Sequence, residues 1–310
     1  MKNKKIIGNI ILLITAIIWG TAFVFQRMGM DSIEPLTFNA ARMALAAVVV
    51  GPVALILRKN NKTVKAFTDD ERKQYNKNTV LGGIGCGVFL TIASILQQIG
   101  LVYTTAGKAG FITAMYILLV PIIGFIFFKR KNTWLVWVAV LLGVIGMYFL
   151  CITEEFKFSQ GDILICLCSL FFSGHILFCD QYSKRGDPVG MAAIQFATAT
   201  LISVTVAFIA EKPSWEKIIT AIIPIVYCGI VSGGIGYTFQ IVGQKFTDPT
   251  VASLLMSLES VFAVLAGVLI LHETMNVREI IGCVIMFSAV ILAQIPYPKI
   301  KKQESKDISK

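Results

Sequence analysis

The sequence predicts an all-α membrane protein with ten transmembrane helices, arranged as two inverted five-helix repeats. Of the 310 residues, 56% are hydrophobic and only 15% are charged, and the mean hydropathy is +0.75. This composition lies outside the range of soluble globular proteins. Apolar runs of about 20 residues, long enough to span a bilayer, recur along the whole chain. The two halves of the chain also match each other at constant offsets.

Hydropathy and length place the predicted spans in order along the chain. They cover roughly residues 6–25, 34–57, 79–101, 107–128, 134–152, 160–183, 189–210, 217–240, 249–272 and 278–296. The first run lacks the short apolar core and the A-x-A cleavage site of a signal peptide, so it is predicted to be a span. The joining segments are short except for the polar segment 58–78.

The Lys and Arg residues predict the orientation of the chain. With the N-terminus inside, 21 of them fall on the cytoplasmic side and six on the outer side, and Arg42 lies inside a span. This asymmetry places both termini in the cytoplasm and indicates an integral protein of the plasma membrane. The net charge of +10 therefore reflects membrane orientation, and we expect a lipid bilayer and no nucleic acid as partner.

An internal duplication divides the chain. Residues 8–25 match residues 161–178 at an offset of 153, whereas an offset of 143 aligns Gln97 with Gln240 and Tyr116 with Glu259. Because each half holds an odd number of predicted spans, the second half must enter the membrane from the opposite side. The predicted domains are a first repeat at 1–153 and a second, inverted repeat at 154–298. A disordered basic cytoplasmic tail is predicted at 299–310.

Several short motifs together resemble a known family. They are Trp19-Gly20-Thr21-Ala22-Phe23, its echo Phe172-Ser173-Gly174-His175, Arg42 in the second span, and Leu258-Glu259-Ser260 followed by Leu271-His272-Glu273. These residues resemble the EamA type of the drug/metabolite transporter superfamily over nearly the whole chain. The resemblance implies a ten-helix inverted-repeat carrier, often an exporter of amino acids or other small metabolites. Proline often follows the glutamate in that family, and Ser260 in its place favours a straighter ninth helix.

Charged and polar residues inside the spans are the candidate substrate-binding residues. Glu259 lies at the middle of the ninth span, where a carboxylate costs about 2.5–3.5 kcal/mol on insertion scales. Arg42 is its most plausible partner. Either Arg42 pairs with Glu259 and holds one conformation of the carrier, or Arg42 binds a substrate carboxylate while Glu259 binds a substrate amine.

The other candidates are neutral side chains that could hydrogen-bond to or stack on a small ligand, or hold helices together. They are Trp19, Gln98, Tyr116, Tyr237, Gln240 and His175. His175 could also relay protons, although a packing role is commoner for a buried histidine. The seven cysteines lie within or at the ends of apolar runs, so a disulfide framework is not expected. Cys166 and Cys168 have no nearby histidine pair at metal-ligand spacing and are interpreted as packing residues. No metal, other cofactor or catalytic residue is predicted.

We expect a secondary transporter that moves a small polar metabolite, such as an amino acid or related zwitterion, outward by alternating access. Carriers of sugar phosphates, nucleotide sugars or lipophilic cations are the alternatives within transport. A membrane-embedded enzyme is disfavoured because G-x-S-x-G and H-E-x-x-H motifs are absent. A membrane sensor is disfavoured because no sizeable soluble domain is present. The oligomeric state is left open, with a homodimer as one alternative.

Overall fold

A computed structural model describes residues 2–103, 106–151, 159–271 and 276–295. Over these residues the chain is helical and contains no strand. Nine of the described helical segments are long and apolar enough to cross a membrane, and a shorter apolar helix at Trp134–Phe149 accompanies them. The predicted all-α membrane fold is therefore confirmed. The predicted disordered tail, together with His272 and Glu273 of the family motif, lies outside the described residues.

The helices of the first half overlap the predicted spans, but the third long helix begins at Asp69, ten residues before the predicted start at residue 79. They are α1 (Lys2–Met30), α2 (Pro35–Asn60), a short α3 (Lys62–Lys65), α4 (Asp69–Tyr103), α5 (Ala106–Thr113), α6 (Tyr116–Phe128) and α7 (Trp134–Cys151).

The second half follows the same order, with one segment of unusual winding. Its helices are α8 (Gln160–Ser183), α9 (Pro188–Ala210), α10 (Trp215–Thr220), α11 (Ile222–Val226), a π-helical segment (Tyr227–Tyr237), α12 (Thr238–Gln244), α13 (Pro249–Met256), α14 (Glu259–Leu271) and α15 (Val277–Gln294).

Three helices begin at a proline that follows an acidic residue. Proline suits the first helical position because its fixed φ is helical and no N–H is needed there. The Asp187 side chain accepts a hydrogen bond from Val189 N, and the Asp248 side chain accepts one from Thr250 N. Glu34 precedes Pro35 in the same way but makes no side-chain cap. These sequence signals explain why α2, α9 and α13 begin where they do.

The fourth and ninth spans are each broken into two helices. The breaks fall at Ala114–Met115 and at Ser257–Leu258, positions that the 143-residue offset makes equivalent. Around each break some backbone hydrogen bonds join residues three apart instead of four. Examples are Ile117 N to Ala114 O at 3.0 Å and Ser260 N to Ser257 O at 3.2 Å. A short tight turn inside a helix often marks a functional hinge.

The expectation of a straighter ninth helix is therefore wrong. Proline is absent after Glu259, yet the chain still leaves the α-helical pattern at Ser257. The hydroxyls of Ser253 and Ser257 donate to the carbonyls three residues earlier, at 2.9 Å each. Such local side-chain bonds compete with the regular helical ladder. The break in the helix therefore coincides with serine side-chain hydrogen bonds and does not require a proline.

The two halves interlock instead of forming separate bundles. The most extensive helix interfaces each join one half to the other: α4 with α8 and α9, α2 with α9, α7 with α15, and α1 with α14. Glycines allow some of these close approaches. A β-carbon at Gly20 of α1 would lie 2.6 Å from Glu259 O and 2.7 Å from Ala263 N, so α1 contacts the backbone of α14.

Replacing Gly20 with alanine is expected to lower stability by about 1–3 kcal/mol, the usual cost of overpacking, because the methyl group would meet backbone atoms. Gly51 of α2 is the matched control, since nothing lies within 4 Å of a β-carbon there. We expect Gly51→Ala to raise stability by up to about 1 kcal/mol through helix propensity. Thermal unfolding of both variants in detergent measures the difference. Equal unfolding temperatures would contradict the close α1–α14 contact.

Candidate functional site

A cavity lies at the centre of the bundle and is lined by both halves of the chain. The centre of a water molecule can occupy about 40 Å³ of this cavity. Such a volume holds roughly three waters. The lining residues are Trp19, Ala22, Phe23, Gln26, Arg42, Gln97, Thr113, Tyr116, Phe172, Ile176, Ser232, Tyr237, Gln240 and Glu259. Five of the predicted candidates besides Glu259 are among them.

Glu259 and Tyr116 meet across this cavity. Each is the first residue of a helix that follows a break, Tyr116 in α6 and Glu259 in α14. The Tyr116 hydroxyl donates to Glu259 Oε1 at 2.9 Å, and the two side chains are buried. The pair aligned by the internal duplication is thus in direct contact. The carboxyl group is held by a neutral hydroxyl, and no cationic side chain lies within 4.0 Å of it among the described residues.

Arg42 lies in the same cavity, and its hydrogen-bond acceptors among the described residues are two side-chain amides. Its Nε and Nη2 donate to Asn39 Oδ1 at 3.0 and 2.8 Å, and its Nη1 donates to Gln26 Oε1 at 3.0 Å. Asn39 is fixed in turn, because its Nδ2 donates to Ser203 Oγ at 3.0 Å. A guanidinium has five N–H donors, so two of them have no acceptor in the described part of the protein. Arg42 is 7% exposed.

The two charged side chains do not pair in this conformation. Arg42 and Glu259 both line the cavity, but none of the ion pairs in the described residues joins them. Each charge is instead fixed by neutral hydrogen-bond partners. Of the two hypotheses drawn from the sequence, this geometry is compatible with separate contacts to a ligand, and a direct ion pair is not formed here.

Aromatic and amide side chains complete the wall. The Trp19 ring lies 4.6 Å from the Tyr237 ring, centroid to centroid, and Trp19 Nε1 donates to Ser232 O at 3.3 Å. Ser232 and Tyr237 belong to the π-helical segment. π-Helices are rare in proteins, and those that occur are frequently found at functional sites. Gln240 follows one turn later on α12. Aromatic rings and hydrogen-bonding groups therefore both line the cavity that holds Arg42 and Glu259.

Two predicted candidates lie elsewhere. Gln98 faces away from the cavity, and its Nε2 lies 3.0 Å from Met30 Sδ. His175 lies behind the wall, with Nε2 2.8 Å from Gln195 Oε1 and its ring edge toward Tyr237. The neighbouring Gln97 lines the cavity instead and donates to Thr113 Oγ1 at 3.2 Å. Gln97 was not among the predicted candidates, but its alignment with Gln240 at the 143-residue offset could have identified it.

Polar contacts between the halves close both ends of the bundle. At the end predicted to be cytoplasmic, Asp180 is 1% exposed and binds Arg130 at 2.6 Å and Lys184 at 2.5 Å. At the opposite end Lys217 forms an ion pair with Glu34. Glu211 there accepts hydrogen bonds from Leu36 N at 3.0 Å and Thr37 N at 2.7 Å. These contacts must change if either end opens.

The Glu34–Lys217 pair gives a pH-dependent prediction. The hydrogen bond from Lys217 lowers the pKa of Glu34 below its ordinary value of 4.5. A lowered carboxyl pKa stabilises the fold at neutral pH, and that contribution is lost as the pH falls below about 4.5. Because both side chains are partly exposed, we expect Glu34→Gln to cost at most about 1 kcal/mol at pH 7.

Thermal unfolding of Glu34→Gln and the parent protein between pH 7 and pH 3.5 tests this expectation. The difference in unfolding temperature should shrink toward zero as the pH falls. Glu216→Gln is the matched control, since Glu216 forms no ion pair among the described residues. A difference that grows at low pH would contradict the assignment.

Comparison with known proteins gives consistent matches. The model of the EamA-like transporter family matches residues 6–152 and again residues 159–294. An uncharacterized transporter of Archaeoglobus fulgidus is 29% identical over 293 residues, covering 94% of this chain and 87% of that protein. Transporter YoaV of Bacillus subtilis, also uncharacterized, is 22% identical over 92% of this chain and 96% of its own.

Two further matches extend over most of the chain. Protein PecM of Dickeya dadantii is 22% identical and covers 89% of this chain and 89% of its own length. A solved crystal structure with 17% identity superimposes with a TM-score of 0.72, covering 91% of this chain and 95% of that one. This last likeness shows a shared fold.

Proposed function

Because the chain belongs to the EamA-like transporter family, within the drug/metabolite transporter superfamily, it is a membrane transporter, and we propose that it carries a small zwitterion. The proposed substrate is an amino acid or a close relative, moved outward across the plasma membrane by alternating access. Both termini lie in the cytoplasm in this proposal. The counterflow experiment below tests which molecule is transported.

The observation that carries the substrate proposal is the separation of a guanidinium group and a carboxyl group in one cavity. Among the described residues, two Arg42 N–H groups have no acceptor and the hydrogen-bond partner of the Glu259 carboxyl group is the neutral Tyr116 hydroxyl. A buried charge without a counter-ion is costly, and a ligand that supplies the counter-ion is bound for that reason. A carboxylate would match the planar fork of Arg42. An ammonium group would match Glu259, and only a zwitterion supplies both.

The size and lining of the cavity favour a small molecule. Space for roughly three waters suits a compact polar molecule, and larger ligands require the walls to move. Trp19 and Tyr237 offer ring faces to an apolar side chain or to the ammonium group. Sugar phosphates and nucleotide sugars need several cations, yet Arg42 is the one Lys or Arg in the lining. A lipophilic cation would suit Glu259 but would be repelled by Arg42.

The two broken helices support alternating access. Carriers built from inverted repeats commonly bind substrate at discontinuous helices near the middle of the membrane. In this chain α5–α6 and α13–α14 break at equivalent positions, next to Tyr116 and Glu259. The family model also matches the chain twice, once in each half. We therefore propose that the halves are inverted repeats and that the breaks act as hinges.

Counterflow in proteoliposomes tests the proposal. Vesicles loaded with one unlabelled amino acid are diluted into a trace of its labelled form, and a panel covers all side-chain classes. We expect uptake above protein-free vesicles for at least one small amino acid. Parallel arms use a sugar phosphate and a lipophilic cation. Uptake confined to either of those arms, or absent for every amino acid, would reject the zwitterion.

A further inference from the structure

Two thiols and an imidazole converge outside the cavity. Cys86 lies on α4 in the first half, and His175 and Cys179 lie one turn apart on α8 in the second half. The two sulfur atoms are 3.3 Å apart, and both, with a ring nitrogen, lie within 4.8 Å of one another. All three side chains are fully buried. Cys86 is distant from the other two residues along the chain, and no sequence motif groups the three.

The imidazole of His175 lies beside the Cys179 sulfur and is hydrogen-bonded to an amide. Its Nε2 lies 2.8 Å from Gln195 Oε1, and in the tautomer that carries the proton on Nε2 this oxygen accepts it and the lone pair is on Nδ1. Cys179 Sγ lies 3.8 Å from Nδ1 and 3.6 Å from Nε2, so the ring must turn for Nδ1 to direct its lone pair at an ion beside that sulfur. Histidines that bind metals usually donate their second N–H to an oxygen in this way, which fixes the tautomer. Gln195 thus occupies the place of a positioning residue behind the imidazole.

A fourth donor stands beside Nδ1. The Gln240 side chain is 1% exposed, its Nε2 lies 3.5 Å from His175 Nδ1, and its amide oxygen has no hydrogen-bond partner. The two ends of an amide exchange places by a half-turn, so Gln240 can present its oxygen at the same position. The Gln240 oxygen would then be a fourth donor beside the two sulfurs and the ring nitrogen.

The donor spacing suits a tetrahedral zinc site. Zn–S bonds of about 2.3 Å and Zn–N or Zn–O bonds of about 2.0–2.1 Å place neighbouring donors roughly 3.3–3.8 Å apart. The separations of 3.3 Å between the sulfurs, 3.8 Å from Cys179 Sγ to Nδ1 and 3.5 Å from Nδ1 to the Gln240 amide nitrogen fall in that range. Turning the imidazole of His175 and the amide of Gln240 about their side-chain bonds would direct all four donors at one ion.

The charge balance also selects a dication. Inside the membrane a net charge is costly. Two thiolates neutralise Zn²⁺ completely, whereas a monovalent ion would leave a net negative charge. Thiolate and imidazole ligands are moreover those that Zn²⁺ takes in structural sites. When the ion binds, Cys86 and Cys179 each release one proton, and two Zn–S bonds form without any change of oxidation state.

We propose that Cys86, His175, Cys179 and Gln240 form a Zn²⁺ site that links the two halves of the protein. The site ties α4 to α8 and α12, and Gln240 also lines the central cavity. An ion bound there would hold together helices from both halves. Zinc would therefore stabilise this conformation and slow any cycle in which α4 moves against α8.

Metal binding is measured on the full-length protein, purified in detergent with a non-thiol reductant and no chelator. We expect one Zn²⁺ per chain and, with Co²⁺ as the probe, visible bands of a tetrahedral thiolate complex. Cys86→Ser and Cys179→Ser should each weaken Zn²⁺ affinity at least about 100-fold. Gln195→Leu should weaken it about 10–100-fold, as removal of a positioning partner does. Zn²⁺ should raise the unfolding temperature of the parent protein, and it should not raise that of a variant that no longer binds the ion.

Cys228→Ser is the matched control, because Cys228 is a buried thiol outside the cluster. It should retain metal binding in full. No Co²⁺–thiolate bands in the parent protein would overturn the proposal, as would equal loss in Cys228→Ser. Peptide mapping that finds Cys86 and Cys179 joined as a disulfide in protein isolated without added oxidant would overturn it too. If a serine variant fails to fold, the spectrum of the parent protein still decides.

Discussion

Arg42→Ala is expected to reduce counterflow of the transported amino acid by at least about 30-fold. Truncating one partner of a buried hydrogen-bonded charge pair costs 2 kcal/mol or more, which corresponds to that factor. In the proposed complex the pair is Arg42 with the substrate carboxylate. Arg42→Lys retains the charge but loses the planar fork, so we expect an intermediate loss.

The fold should survive the loss of Arg42. Its partners Asn39 and Gln26 are neutral amides beside a cavity that water can enter, so no opposite charge is left buried. Arg58→Ala on the same helix is the matched control, since Arg58 bonds to Asn76 at an exposed site. It should transport normally. Unfolding of Arg42→Ala at a much lower temperature, or transport equal to that of Arg58→Ala, would contradict a role in substrate binding.

Glu259→Gln is expected to abolish counterflow of the zwitterion while leaving the protein folded. Glutamine has the same shape and keeps an oxygen for the Tyr116 hydroxyl, now 2.9 Å from Glu259 Oε1. What it removes is the negative charge that balances the substrate ammonium. Tyr116→Phe is the complementary change, because it removes the hydrogen bond and keeps the charge. We expect a smaller loss there, of about 10-fold, corresponding to roughly 1.5 kcal/mol.

Substrate preference separates a charge role from a packing role. A carboxylic acid that lacks the amine should be a poor substrate for the parent protein, since Glu259 would remain unpaired. In Glu259→Gln that penalty is removed, so the ratio of acid to amino acid uptake should rise at least about 10-fold. Competition assays with the two compounds measure this ratio. An unchanged ratio would indicate that Glu259 does not contact the ammonium group.

The sequence predicts the helices well because their signal is local. About 20 apolar residues in a row must span the bilayer, whatever their neighbours are. The contact of Tyr116 with Glu259 was also within reach, since the internal duplication aligns these residues and inverted repeats bring equivalent positions together. Arg42 and Asn39 were expected on one face from helical spacing alone, and they are hydrogen-bonded.

Other features depend on contacts that the sequence does not encode locally. Gln97 and Gln98 differ by one step around α4, and only packing decides which of them meets the cavity. The break at Ser257–Leu258 contains neither proline nor glycine, so composition predicts a continuous helix there. The cluster of Cys86 with His175 and Cys179 requires that α4 pack on α8. No sequence motif encodes this contact between the two halves.

The hydrogen bond from Tyr116 to Glu259 has a consequence for the kinetics of the proposed carrier. It joins the first residue of α6 to the first residue of α14, so it fastens the inner ends of two hinged half-helices from opposite halves. A substrate ammonium group that binds the carboxylate would break this hydrogen bond. An empty carrier would then reorient more slowly than a loaded one, and exchange of internal for external substrate would outpace net efflux.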